Sequence, residues 1–264
     1  MARVFLSPST QEYNLYVDGS GSEEYWMNRL ADAIEPFLTA SGIQFGRNDP
    51  SLTVGGSVRL SNAGNYDLHV ALHSNASGPA RAGQQRGIDI YYYDGSAESK
   101  RAADLIVEQL KKIYPNPDLV RALPTTSLYE LNNTIAPAVL AELGYHDNLE
   151  DAKWIQNNIY NMASAISSAI AAYFGVPFRT PGGTTQPTQP TQPTQPTQPT
   201  QRTGTVVTQG GRLNIRSGPS MDANIIGQIP NGQTVTVLSQ SGNWYRINYN
   251  GIEGYVSGQF LRVQ

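Results

Sequence analysis

The 264 residues contain three histidines, His69, His73 and His146. His73 closes the β-like run Asp67-Leu68-His69-Val70-Ala71-Leu72-His73 and is followed by Ser74-Asn75-Ala76. His146 follows a second run, Ala138-Val139-Leu140-Ala141-Glu142-Leu143-Gly144-Tyr145, in which Glu142 stands among apolar residues. Two strand ends carrying His, with a carboxylate beside one of them, resemble an open catalytic zinc site. Such a site takes three N/O ligands and leaves one position for water. A carboxylate near the metal but off it could then accept the water's proton. An isolated His is more often a hydrogen-bonded structural residue, so spacing alone leaves both readings open.

These residues need a scaffold, and the pattern around them supplies one. Val4-Phe5-Leu6 reads as a short strand. Glu23 to Leu38 has Trp26, Met27, Leu30, Ala31, Ile34 and Leu38 at helical spacing, with Pro36 expected to distort the last turn. Gly87 to Tyr93 is a strand rich in Ile and Tyr. Ser96 to Ile113 is helical, with Ala103, Ile106, Val107 and Leu110 on one stripe. Ala138 to Leu143 is a buried strand, and Leu149 to Phe174 a long helix carrying Trp154, Ile155, Ile159, Met162, Ile166 and Ile170. Alternating strands and helices predict an α/β domain with a mostly parallel sheet flanked by helices. Ligands of such sheets sit outside the carboxyl ends of the strands, where His73 and His146 fall.

The blocks "DLHVALHSNA" and "PAVLAELGYHDN" resemble the amidase-3 family of N-acetylmuramoyl-L-alanine amidases, found in sporulation-type autolysins and phage endolysins. The resemblance covers residues 2 to about 175 and implies an α/β fold, a Zn2+ cofactor and hydrolysis of the amide bond between N-acetylmuramic acid and L-alanine. It also implies site residues. A Glu that opens a helix four residues before Asn is a family metal ligand. That is Glu24, with Asn28, in "EEYWMNRLADAI", and it is weighed above Glu23. The metal His of "HSNA" is His73. The catalytic acid and base is Glu142, which is costly to bury without a role or partner. Most members have a further metal His in a "DPGHGG" loop after the first strand, whereas this chain has "SPSTQEYN". His146 is the expected replacement, with Gln11 and His69 as alternatives. Gln11 is a weak ligand. His69 would lie roughly 13 Å from His73 along one strand, at about 3.3 Å per residue, which favours a packed role behind the site. Arg86 and Gly87 sit where the family lines its groove, although a solvated Arg is the favoured reading.

Thr-Gln-Pro repeats from Thr184 to Gln201. With no apolar residue to bury and a Pro at every third position, this stretch is expected to be a polyproline-II-like spacer on the order of 50 Å long. Beyond it, short β-like runs alternate with turn clusters, predicting a small all-β barrel. The segments "LNIRSGP", "WYRINY" and "GYV" resemble the bacterial SH3 domain. That implies binding of peptidoglycan peptides, with Arg216, Tyr245 and Tyr255 as groove candidates beside Tyr249. Trp244 is favoured as core. The expected organisation is a zinc amidase domain at 1–178, a linker at 179–202 and an SH3-like cell-wall-binding domain at 203–264.

Net charge is −3 and the sequence pI about 5.6, so no basic field draws nucleic acid or anionic membrane. Cysteine is absent, so no disulfide holds the fold. No apolar run reaches the ~18 residues of a membrane span, and Met1 to Pro8 reads as a strand rather than a leader. The expectation is a monomer made in the cytoplasm without a signal peptide, acting on the wall after release through a holin pore or lysis. A phage endolysin is favoured over a host autolysin. Two other readings stay open: a degenerate amidase fold kept for wall binding, and a zinc peptidase acting within the stem peptide.

Overall fold

The computed structural model describes residues 2–181, 202–208, 211–219, 223–241, 244–249 and 252–263. The Thr-Gln-Pro spacer and the Asn250-Gly251 turn lie outside the described residues. The chain divides into two compact units, Met1–Pro181 and Gly182–Gln264. The first extends past the expected boundary because Val176 and Phe178 pack on its core and the Arg179 amide donates to Ser41 Oγ at 3.0 Å.

In chain order the first unit contains β1 (Arg3–Pro8), α1 (Glu23–Ala40), β2 (Gln44–Arg47), α2 (Val54–Ala63), β3 (Leu68–Asn75), β4 (Ile88–Tyr93), α3 (Ala97–Leu110), β5 (Val120–Thr125), α4 (Tyr129–Asn133), β6 (Ala138–Tyr145) and α5 (Leu149–Phe174). The six strands form one sheet in the order β2-β1-β3-β6-β4-β5. All neighbours are parallel except β4 and β6, which pair antiparallel with Asp89 opposite Glu142. Hence β4 and β5 run against the rest, and the sheet is mostly parallel as the sequence predicts.

Alternation along each strand sorts the two faces. Val4, Leu6, Val70, Leu72, Ile88, Ile90, Val139, Ala141 and Leu143 join a core with α1, α3 and α5. The other face carries His69, Ala71, His73, Asp89, Tyr91, Leu140 and Glu142, with Ala71, Ala138 and Leu140 packed under Leu131 of α4. A polar site is therefore built on the face opposite the main core. Helix α1 begins at Ser22, whose Oγ accepts from the Tyr25 amide at 3.1 Å. It runs to Ala40 with Pro36 inside it, beyond the expected end. Helix α5 is capped by the Asn148 side chain and stopped by Gly175 at φ 66. It kinks at Asn158, whose Nδ2 donates to the Trp154 carbonyl at 2.9 Å. Among the described residues no helix is long and apolar enough to cross a membrane.

Asp151, fully buried at the start of α5, ties the sheet to that helix. One of its oxygens accepts from the Gly87 and Tyr145 amides at 3.0 Å each. The other accepts from Tyr114 Oη at 2.6 Å and Arg86 Nε at 3.1 Å. Arg86 and Gly87 thus belong to the scaffold rather than to a groove. Gly87 sits at φ 121, and a Cβ there would lie 2.6 Å from the Leu119 carbonyl oxygen. Asp151→Ala strands four donors, one of them the Arg86 guanidinium, so it is expected to destabilise the unit by about 3–5 kcal/mol. Urea unfolding checks this, and Asp151→Asn is expected to cost less because one acceptor remains.

The second unit is antiparallel throughout. Its strands are β7 (Arg202–Val206), β8 (Arg212–Arg216), β9 (Ile225–Pro230), β10 (Thr234–Ser241), β11 (Trp244–Tyr249), β12 (Ile252–Ser257) and β13 (Leu261–Val263), in the order β13-β7-β10-β11-β12-β8-β9. Val206, Leu213, Ile215, Ile229, Val235, Val237, Ile247, Val256 and Leu261 form its core. Trp244 is half-buried and lies outside that cluster, contrary to the expected core role.

Candidate active site

His73 is the last site-facing residue of β3, and its ring meets a carboxylate at each nitrogen. Nδ1 lies 2.8 Å from Glu23 Oε1, and Nε2 lies 3.6 Å from Glu130 Oε2. Glu23 is the first residue of α1 and is 1% exposed. Besides His73, its carboxylate accepts from Asn14 Nδ2 at 2.7 Å and from the Ser74 amide at 3.4 Å. Burial alone would raise the Glu23 carboxyl, but the hydrogen bonds from His73, Asn14 and Ser9 outweigh it and hold the group below its ordinary value. Burial would likewise lower His73. The bonds to Glu130 and Glu23, and the charge of Glu142, carry it instead well above the usual imidazole range.

Glu142 stands opposite His73 in the β3–β6 pairing and opposite Asp89 in the β4–β6 pairing. Its Oε2 is buried with no hydrogen-bond partner. Burial pushes its carboxyl up to about 7, with the charges of Glu23 and Asp89 adding to the rise and His73 opposing it. Asp89 is itself held bidentately by Arg121, at 2.9 and 3.1 Å. A carboxyl that titrates near neutrality, has an unused oxygen and sits beside a histidine is suited to general acid–base work.

Two of the expected ligands make contacts other than with His73. Glu23, rather than Glu24, reaches His73. Glu24 is half-exposed, and its nearest partner is Asn28 on its own helix, whose Nδ2 lies 2.8 Å from the Glu24 carbonyl and 3.5 Å from Oε1. His146 is buried, but its Nδ1 is 2.8 Å from the Ser74 carbonyl and 3.1 Å from Ser74 Oγ, and its ring stacks on Tyr16. A register shift between His73 and Asn75 accompanies this, with Asn75 facing Tyr145 across the strands. His146 thereby engages Ser74, the residue after His73. Gln11 Oε1 accepts from Tyr13 and Asn14. His69 is a packed residue behind the site, bonded to Ser61 and Glu130 at 2.9 Å each.

Glu130 was not among the sequence candidates. It lies on the five-residue helix α4 and is 3% exposed. Burial would raise its carboxyl, and His69 and His73 together hold it far below the ordinary range. The available signal was an acid between Leu128 and Leu131. A cleft of about 460 Å³ opens over His73 and Glu130, walled by the Ser7–Gln11 segment, Tyr13, Asn48, Leu52, Thr53, Val54 and Ser57.

Metal binding is tested by this donor set. Among the described residues no group of three or more His, Cys, Asp and Glu side chains is arranged to hold a metal ion. Glu23 and His73 nevertheless face each other with an oxygen and a nitrogen 2.8 Å apart. That is a hydrogen-bond distance, shorter than the roughly 3.3 Å between two ligands of a tetrahedral ion with bonds of about 2.0–2.2 Å. The unpartnered oxygen of Glu142 belongs to the same face. As placed, these residues offer two protein donors, fewer than the three of an ordinary catalytic zinc site.

In the second unit, Tyr255 is 5% exposed and contributes little ring surface to a groove. Tyr245 is half-buried against the core, and Arg216 Nη1 donates to the Ala223 carbonyl at 2.8 Å. Arg216 and Tyr255 are paired across β8 and β12.

A family profile described as N-acetylmuramoyl-L-alanine amidase matches residues 15–172, more than half of the chain, and one described as bacterial SH3 domain matches residues 211–262. Bacteriocin BCN5 of Clostridium perfringens is 34% identical over 61 residues, 23% of this chain, and the match spans only 7% of that protein's length. The N-acetylmuramoyl-L-alanine amidase CwlM of Bacillus licheniformis is 25% identical over 185 residues, covering 67% of this chain and 70% of CwlM. Among solved structures, the catalytic domain of the amidase CwlV from Bacillus (Paenibacillus) polymyxa superposes with a TM-score of 0.59 at 18% identity, covering 67% of this chain and 100% of that domain. At that identity the likeness is one of fold.

Proposed function

The chain belongs to the N-acetylmuramoyl-L-alanine amidase family, and from that premise we propose that it hydrolyses the amide between N-acetylmuramic acid and L-alanine in bacterial peptidoglycan. The observation that carries this reading is the convergence of Glu23, His73 and Glu142 toward the carboxyl ends of the parallel strands β3 and β6. Glu23 and His73 would hold a zinc ion there. Bound zinc supplies Lewis acidity, polarising a carbonyl and making water more acidic.

The chain's own residues do the rest. The cleft beside His73 takes the glycan–peptide junction. Glu142, with its free oxygen, removes a proton from the attacking water and delivers it to the departing alanine nitrogen. Asn14 and the Ser74 amide keep the Glu23 carboxylate ionised and aimed at His73. The C-terminal module attaches the enzyme to the wall, with the half-buried Tyr245 as an aromatic contact and Arg216 as a polar one.

A second reading is favoured by the donor count. Two protein donors are fewer than the three of an ordinary catalytic zinc site, which suits a wall-binding protein that no longer cleaves. Digestion of purified walls by the full chain, followed by mass spectrometry and metal analysis, separates the readings. New amino termini on L-alanine with bound zinc are expected. New termini inside the stem peptide would indicate a peptidase, and no new termini would leave wall attachment alone.

A further inference from the structure

We propose that Arg121 is a specificity residue: its guanidinium binds a carboxylate carried by the residue that follows the alanine in the substrate's peptide. The inference rests on the amidase reading for the position of the cleaved bond, but its own observations come from the far edge of the sheet. The strand pairings put His73 opposite Glu142, Glu142 opposite Asp89, and Asp89 opposite Arg121. Residues paired in register share a face, so the four side chains form one row across β3, β6, β4 and β5. The row runs near the carboxyl ends of β3 and β6 and through the second residues of β4 and β5, which start at that end of the sheet. With strands about 4.8 Å apart, Arg121 stands two strands, roughly 10 Å, from Glu142. Its guanidinium is bonded to Asp89, one strand nearer. One further peptide residue, at about 3.4 Å, and an acidic side chain span what is left.

The guanidinium is aimed before any substrate arrives. Asp89, 3% exposed, accepts from Arg121 Nε at 2.9 Å and from Nη2 at 3.1 Å. That side-on grip occupies two of the five guanidinium donors. The end-on fork, with a hydrogen on each Nη, is left over, and no described residue bonds to Nη1. The Arg121 side chain is 52% exposed, so a ligand can reach the fork, whose planar geometry matches a carboxylate. Burying Asp89 beside Glu142 is costly. What it achieves is one fixed orientation of a long side chain, which lowers the ordering cost of binding. The charge pattern of the substrate selects the side. On the glycan side the muramoyl carboxyl is consumed in the amide and the N-acetyl sugars are neutral, so free carboxylates belong to the peptide. The cleft on the β1 side of His73 fits the neutral half: Thr10, Gln11, Asn48, Thr53 and Ser57 line it with hydroxyls and amides, and no Lys or Arg is among its described walls.

The test compares two substrates of the full chain, N-acetylmuramoyl-L-alanyl-glutamate and its glutamine twin. Both are amidated at the C-terminus, so one carboxylate is the only difference. Wild type is expected to use the acid about tenfold better in kcat/KM at low salt, the size of one charge-assisted contact, and the preference is expected to shrink at about 0.5 M salt. In Arg121→Gln the preference is expected to vanish. A merely structural role would lower both substrates alike and leave their ratio unchanged. Arg121→Gln leaves Asp89 as a buried charge without its cation. Asp89→Asn/Arg121→Gln, which removes both charges, is therefore measured beside it with the same expectation. A second readout needs no turnover: the 15N–1H signal of Arg121 Nε is followed while L-alanyl-glutamate amide is titrated in, and is expected to move with this peptide and not with the glutamine twin. Equal use of the two substrates by wild type, or an acid preference that survives in both variants, would overturn the proposal. If the chain cleaves neither substrate, the amidase reading fails, and the Nε titration alone decides the role of Arg121, an unmoved signal overturning it.

Discussion

Glu142→Gln is expected to lower wall hydrolysis by about 10²–10⁴-fold, the range associated with a single general acid–base group, and at the same time to make the metal-free chain more stable at pH 8. The two effects have one cause. The carboxylate is buried with one oxygen unpartnered, and burial pushes its pKa up to about 7. The ordinary value is 4.5, so the folded chain favours the protonated form. Stability from this group is therefore fully present below about pH 4.5, falls as the pH rises toward 7, and falls no further above it. Gln has no charge to bury and pays none of that cost. Allowing for the partial exposure of the residue, the difference at pH 8 is on the order of 2 kcal/mol, which corresponds to roughly 4–8 °C in melting temperature for a unit of this size. The melting temperatures of the two proteins in chelator are expected to converge at pH 4 and separate by pH 8. A variant that has lost turnover while gaining stability has lost chemistry rather than fold. Unchanged hydrolysis in Glu142→Gln would remove Glu142 from the reaction.

How far the sequence could be read follows from which signals are local. Period-two and period-3.6 patterns placed β1, β3, β4, β6, α1, α3 and α5, because each buries a continuous stripe in the main core. The pattern was silent on α2 and α4. Helix α2 carries Gly55, Gly56, Ser57 and Ser61 where a core helix would carry Leu or Ile, and α4 has five residues. They cover the polar face of the sheet, so Ser57, Ser61 and Glu130 are buried beside the single apolar residues Val58 and Leu131, and neither helix carries an apolar stripe. The edge strands β2 and β5 were hidden for a related reason. They are short, and Pro124 and Arg121 interrupt β5. The site followed the same division. His73 and Glu142 were legible because each lies on a strongly patterned strand. Glu130 was not, because only tertiary packing of α4 under β1 and β3 brings it to His69 and His73. What spacing does not encode for His146 is its contact with Ser74, next to the register shift between His73 and Asn75.

The choice between Glu23 and Glu24 yields the second large effect. A Glu four residues before Asn is a helix-surface pair, since i and i+4 side chains are neighbours on the same face. Asn28 does contact Glu24, through both its carbonyl and its carboxylate. That spacing therefore reports a contact within α1 and does not aim Glu24 at the sheet. Consecutive helical residues point about 100° apart, and the preceding residue, Glu23, is the one turned inward. It is 1% exposed and holds His73, Asn14 and the Ser74 amide. Glu23→Gln removes a buried charge that offsets His73 and one of the two protein donors to a metal. Zinc affinity and hydrolysis are both expected to fall by more than the 10–100-fold typical of an outer partner. Unfolding free energy is expected to drop by about 3–5 kcal/mol, the usual cost of breaking a buried ion pair. Glu24→Gln keeps the Asn28 contact to the backbone carbonyl and is expected to stay within about twofold of wild type in both assays, as surface changes do. Calorimetric zinc titration and wall turbidity measured side by side on the two variants give the contrast. The reverse order, with Glu24→Gln inactive and Glu23→Gln normal, would mean that α1 turns to present its second carboxylate when the site fills.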